Sequence, residues 1–275
     1  MYRLIVTDLD DTLLTSDAII SPRTERAVMA ARERGAIFAL ASGRMTRAML
    51  PYARQLDIIA PMIAYNGAEV YDPIARQTLF SLPVEAEPAR QLCAMCEDMG
   101  LHIQAYMGDD YFFAEDNAYS ELYAAAINLA GRATGVKLSE YIMGDCVKLL
   151  IVSEPERLVA VRAELDAAFG SIMSISTSRP NYLEFTHTEA NKGNALRRLA
   201  PMLGVRREEI AAFGDGQNDL GMLTWAGLGF APANARPEVL RAAPHTMPSN
   251  DEDGLARTLE SLMAQGLIGG GDRGD

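Results

Sequence analysis

The chain has 275 residues, a formal net charge of −12, 49% hydrophobic and 23% charged residues. This is the composition of a globular protein of one large or two ordinary domains, and its acidity argues against nucleic acid as a partner, since such binding relies on Lys and Arg neutralising phosphates. No apolar stretch is long enough to span a bilayer and no signal peptide precedes the first predicted strand, so the expected setting is the cytoplasm, away from membranes.

The first predicted strand covers residues 3–8. Its apolar run, Leu4-Ile5-Val6, ends abruptly in Asp8, Asp10 and Asp11. Such a run reads as a buried parallel strand, with Asp8 at the carboxyl end, where open α/β sheets place their ligands. Three carboxylates so close would repel one another, and a divalent cation would relieve the repulsion; an acidic turn is the plainer alternative. Ser21-Pro22 opens a helix as N-cap and first helical residue, and Gly35 ends it. A second strand, 36–41, leads into Ser42-Gly43-Arg44, followed by a helix disturbed at Pro51. A short strand at 61–65 runs into the turn signal Asn66-Gly67.

After Pro83 the texture changes. A hairpin is predicted at 101–114, a helix at 119–130 and a strand at 147–152. Pro155 starts a helix with Leu158, Val161, Leu165 and Phe169 on one face, and strands at 172–176 and 182–185 flank Arg179-Pro180-Asn181. From about Thr188 the first texture returns. A helix over 192–203 is followed by a strand, 210–213, that runs into Gly214-Asp215-Gly216-Gln217-Asn218-Asp219. A short helix at 220–225 places Trp225 in the core, a strand follows at 228–231, and the Gly-rich tail 269–275, ending in Arg-Gly-Asp, is expected to be disordered. Cys93 and Cys96 share one predicted helix and, with Cys146, lack the further ligands of a zinc site, so buried thiols are expected. His102, His187 and His245 have no common motif spacing, and none is assigned to catalysis.

Four pieces in this order resemble the haloacid dehalogenase (HAD) superfamily of phosphohydrolases: the Asp8-to-Asp11 motif, the run ending at Ser42, Lys192 at a helix start, and Gly-Asp-Gly-Gln-Asn-Asp. Within it the chain is similar to the Cof-type branch (subfamily IIB, cap type C2B), whose cap is inserted between the second and third motifs. The resemblance implies an α/β fold. A Rossmann-like parallel-sheet core would be built from residues 1–82 and 188–275, with an inserted α/β cap at 83–187. It implies that Asp8 is the nucleophile, forming an aspartyl-phosphate, and that Asp10 is the general acid and then the base. It implies Mg2+ held by the Asp8 carboxylate, the Asp10 backbone carbonyl and Asp215, with Asp219 a ligand or a support. Ser42, the Gly43 N–H, Lys192 and Asn218 would bind phosphate or organise its site. Lys192 has its own argument: a cation in the first turn of a helix opposes the helix dipole by roughly 0.3–1 kcal/mol, which makes sense if it faces phosphate and carboxylates. Asp11 stands where many relatives have glycine and suits a turn or cap acceptor.

The expected activity is therefore a magnesium-dependent phosphomonoesterase acting on a small phosphorylated metabolite, chiefly sugar phosphates. Arg179, Tyr182 and Glu184 are cap positions that would face substrate; an ordinary hairpin surface is the alternative. A sugar phosphomutase of the same superfamily is the nearest rival. A phosphoacceptor like receiver domains and a non-catalytic phosphate-binding protein are rivals of other classes; Asp10 and the large inserted cap argue against the first, and the presence of every expected catalytic residue type argues against the second. Oligomeric state is not legible.

Overall fold

The computed structural model describes residues 1–269. Residues 270–275, with the terminal Arg-Gly-Asp, lie outside the described residues. The chain forms two compact units: Met1–Phe80 joined by the segment that begins at Asn191, and Ser81–Ala190.

The first unit is built on a five-stranded parallel sheet in the order His245–Met247, Leu228–Pro232, Ile210–Phe213, Leu4–Thr7, Ile37–Leu40. Leu4, Ile5 and Val6 are wholly buried, as the unbroken apolar run requires of an interior parallel strand. Helices Pro22–Glu33 and Gly254–Ala264 pack on each other. Ser21 caps the first of these by accepting the Thr24 N–H, with Pro22 at the first helical position. The helix Thr46–Gln55 continues through Pro51 rather than breaking there. Trp225 is half-buried rather than in the core, with the Arg197 guanidinium 5.1 Å from its ring centre. Gly269, placed by its sequence in a disordered tail, donates its N–H to the Tyr2 carbonyl at 3.2 Å.

Because all five strands run the same way, their carboxyl ends share one edge. The strand Leu4–Thr7 lies between Ile210–Phe213 and Ile37–Leu40. The Asp8 N–H continues one ladder onto the Phe213 carbonyl at 2.9 Å, and the Ala41 N–H continues the other onto the Thr7 carbonyl at 2.9 Å. Asp8, Ser42 and Gly214-Asp215 therefore emerge side by side.

The second unit carries a six-stranded sheet in the order Ser174–Arg179, Tyr182–Thr186, Lys148–Val152, His102–Met107, Asp110–Phe113, Arg132–Ala133. The predicted strand at 172–176 starts at Ser174 and extends to Arg179. Side chains alternate across the sheet. Ile103, Ala105, Leu149, Ile151, Leu183 and Phe185 join a hydrophobic core with residues of helices Ala86–Asp98 and Pro155–Phe169. Their neighbours Gln104, Tyr106, Lys148, Tyr182 and Glu184 take the opposite face. Cys93, Cys96 and Cys146 are free and buried, and burial pushes all three thiols up, Cys146 to about 12. Among the described residues no helix is long and apolar enough to cross a membrane.

Candidate active site

Asp8 leaves the strand Leu4–Thr7 in extended conformation, and its side chain is buried. Lys192, in the first turn of the helix Lys192–Met202, is buried completely and forms ion pairs with Asp8 and, at 2.6 Å, with Asp219. Asn191 starts that helix by accepting the Asn194 N–H at 2.7 Å. Gly193 lets the helix lie against the backbone of Gly221; a Cβ there would stand 2.6 Å from the Gly221 carbonyl carbon. The close approach brings the lysine and the loop bearing Asp215 and Asp219 together. Asp219 is fully engaged: its second oxygen accepts the N–H groups of Asp215 and Gly216 at 3.1 and 2.9 Å. Asp215 is held by the Thr12 hydroxyl, 3.0 Å away.

One carboxylate oxygen from each of Asp8, Asp215 and Asp219 lies within 4.8 Å of the others. Burial pushes the Asp8 carboxyl well above the usual range; Lys192 pulls it back, while Asp219, Asp215 and Asp10 push with burial. Burial, then Asp219, raises Asp215 to about 6 against the pull of Thr12 and Lys192. Burial alone would push Lys192 down, but Asp219 and Asp8 outweigh it and hold the ammonium above the ordinary lysine range. Negative charge thus exceeds positive charge in a site of hard oxygen donors. That donor set fits magnesium.

Asp10 does not join the three. Its side chain turns to Arg44, whose Nε and Nη2 donate to the two carboxylate oxygens at 2.9 and 2.6 Å. Asp11 has φ 56° and serves the turn, its carbonyl accepting the Asn234 amide at 2.8 Å. Ser42 is buried beside the end of the strand Leu4–Thr7 and accepts the Arg44 N–H at 3.1 Å. It does not cap the next helix; Met45 holds that position. Gly43 packs against Asn66, where a Cβ would lie 2.8 Å from Oδ1. Asn218 is exposed and donates to that same Asn66 oxygen at 2.8 Å, while the Asn66 N–H donates to the Ser42 carbonyl at 3.0 Å. Asn218 therefore ties the Asp215 loop to the Ser42 loop through Asn66.

In the second unit, Tyr182 and Glu184 are buried rather than ordinary hairpin surface, and Arg179 is exposed with its guanidinium 5.9 Å from the Tyr182 ring centre. Glu184 pairs with buried Lys148 at 3.3 Å and accepts the Ser178 hydroxyl at 2.9 Å. Sequence reasoning missed Thr12, Arg44, Asn66 and Lys148. Thr12 directly follows the acidic motif and Arg44 closes Ser42-Gly43-Arg44, so both were visible as polar residues, and Asn66 was read only as a turn former. Lys148 carried no signal, because a lysine at a strand edge looks solvated.

The family model for haloacid dehalogenase-like hydrolases matches residues 5–259. The 5-amino-6-(5-phospho-D-ribitylamino)uracil phosphatase YitU of Bacillus subtilis is 31% identical over 95% of this chain and 97% of its own. A haloacid dehalogenase-like hydrolase from Bacteroides thetaiotaomicron superposes with a TM-score of 0.89 at 32% identity, over 95% of this chain and all of that one. The subclass IIB sugar phosphatase BT4131 shares the fold at a TM-score of 0.83 and 21% identity, over 97% of this chain and 100% of its own. With the strand-end carboxylates, the buried lysine and the second α/β unit in place, the chain belongs to the haloacid dehalogenase-like hydrolases and is a phosphatase of that family.

Proposed function

We propose that the chain is a magnesium-dependent phosphomonoesterase that cleaves small phosphorylated metabolites, sugar phosphates foremost, through an aspartyl-phosphate on Asp8. The observation that carries this reading is the buried strand-end Asp8 paired with Lys192 and grouped with Asp215 and Asp219. Asp8 Oδ attacks phosphorus, the ester P–O bond breaks, and the leaving oxygen takes a proton from Asp10. Water then gives a proton to Asp10 and attacks the same phosphorus; the acyl-phosphate P–O bond breaks, phosphate departs and Asp8 is restored. Lys192 holds Asp8 in place and offers positive charge to the phosphoryl oxygens, with the Ser42 hydroxyl and Gly43 N–H as further donors. The carboxylates of Asp8 and Asp215, with the Asp10 backbone carbonyl, would hold magnesium, which supplies neutralising charge at the phosphoryl group when bound. Both oxygens of Asp219 are already engaged, which supports a supporting role for it rather than direct ligation.

Residues 83–187 serve as the cap, and Arg179, Tyr182 and Glu184 read the leaving group. The substrate class is supported by the relative YitU, whose named substrate is a phosphorylated ribityl compound. The test is a phosphate-release screen over sugar phosphates, nucleotides, pyridoxal phosphate and flavin mononucleotide, with magnesium and with chelator. Release from sugar phosphates that requires magnesium and is lost in D8N supports the reading. An isomeric sugar phosphate without free phosphate would make it a mutase.

A further inference from the structure

Asp10 must place a carboxyl oxygen against the leaving group and later against water, and its side chain is 40% exposed. Arg44 holds it at two points. The guanidinium grips both carboxylate oxygens in a fork and is itself only 14% exposed. Three residues hold Arg44: Ser42 and Tyr65 at its backbone and Tyr52 at its guanidinium. The Arg44 N–H donates to Ser42 Oγ at 3.1 Å, and its carbonyl accepts the Tyr65 N–H at 3.0 Å. Nη1 donates to the Tyr52 hydroxyl at 3.3 Å, and the guanidinium stands 5.3 Å from the Tyr52 ring centre. A partly exposed ion pair contributes little to stability. The planar, two-point grip instead supplies orientation, which a lysine's point charge would not.

We propose that Arg44 is the positioning residue of Asp10: its fork, braced by Tyr52, holds the Asp10 carboxyl at the mouth of the site for both proton transfers. The proposal rests on the phosphatase reading of Asp10 given above. The experiment measures kcat/KM, which reports aspartyl-phosphate formation, for R44A and R44K with an alkyl phosphate and with p-nitrophenyl phosphate, whose leaving group needs little protonation. R44A should lose about tenfold or more with the alkyl ester and clearly less with the aryl ester. In a D10N background the same substitution should cost less than about threefold with either ester, because the group being positioned is already disabled. R44K should show the same split, and it carries the test alone if R44A does not fold. An equal loss on both esters, or an undiminished loss in D10N, would overturn the proposal. D10N on its own separates the two readings: if it leaves alkyl-ester hydrolysis intact, the role of Asp10 itself is wrong, whereas a normal D10N defect without the Arg44 split removes only the positioning role.

Discussion

Each of the two units buries a lysine, and the surroundings of the two differ in kind. Lys192 touches two carboxylates, with a third close by, at the end of a parallel strand. Lys148 lies on the polar face of an antiparallel sheet with one carboxylate, Glu184, and with its ammonium 4.7 Å from the Tyr106 ring centre. Burial works against the charge on both, and both are held above the ordinary lysine range, Lys192 by Asp219 and Asp8, Lys148 by Glu184. The second arrangement pairs one charge with one charge. The first leaves negative charge uncompensated, which suits it to the cation and the phosphoryl group of the proposed reaction. Buried ion pairs are weak evidence for stability in themselves; the mismatch in charge count distinguishes a reactive cluster from a structural one.

The largest effect that would break this contrast is at Asp8. D8N keeps the shape and removes the attacking charge, so phosphate release should fall by at least about a thousandfold with the fold intact by circular dichroism. Next come Asp215 and magnesium. Magnesium should raise the melting temperature of the wild type by mass action, worth about 2.7 kcal/mol at a hundredfold excess over Kd. D215A should lose most of that rise in a thermal-shift titration, and chelation should abolish wild-type turnover.

The lysines sharpen the comparison further. K192M leaves buried carboxylates unpaired and K148M strands Glu184, so each should cost about 3–5 kcal/mol in chemical denaturation. Magnesium should recover part of the K192M loss and none of the K148M loss. Replacing both partners of the neutral pair, K148M with E184L, should restore most of the stability lost in K148M alone. The smallest effect concerns His102, which burial holds down to about 4. The unfolded chain accepts a proton at this residue below about pH 6.5 and the folded chain does not. Its contribution is therefore full above that pH and is lost as pH falls from about 6.5 toward 4. H102Q should flatten the acid side of the stability–pH curve over that window.

The parallel sheet was legible because its strands are unbroken apolar runs that end in polar motifs, and strand ends can be read without knowing their neighbours. Asp8 and Asp215 were legible for the same reason, and Lys192 because a cation in the first turn of a helix opposes the helix dipole. Arg44, Asn66 and Thr12 were not, because their roles come from side chains meeting across loops far apart in sequence: Thr12 on Asp215, Asn66 on Asn218, Arg44 on Asp10. Trp225 was misplaced because aromatic character alone does not reveal that an arginine covers one face. Pro51 did not break its helix, since propensity yields where an element is packed along its length. Lys148 was invisible because its burial follows from sheet alternation and from tyrosines of other elements.

The most direct measurement is the pre-steady-state time course of D10N with p-nitrophenyl phosphate and magnesium. This variant should phosphorylate Asp8 readily, because the leaving group needs little help, and should lose the base that hydrolyses the intermediate. The predicted result is a burst of nitrophenolate equal to one equivalent per active site, with phosphate release lagging behind and no burst in the D8N/D10N double variant. Nitrophenolate and phosphate appearing together without a burst, at a rate unchanged by D8N, would contradict a covalent role for Asp8.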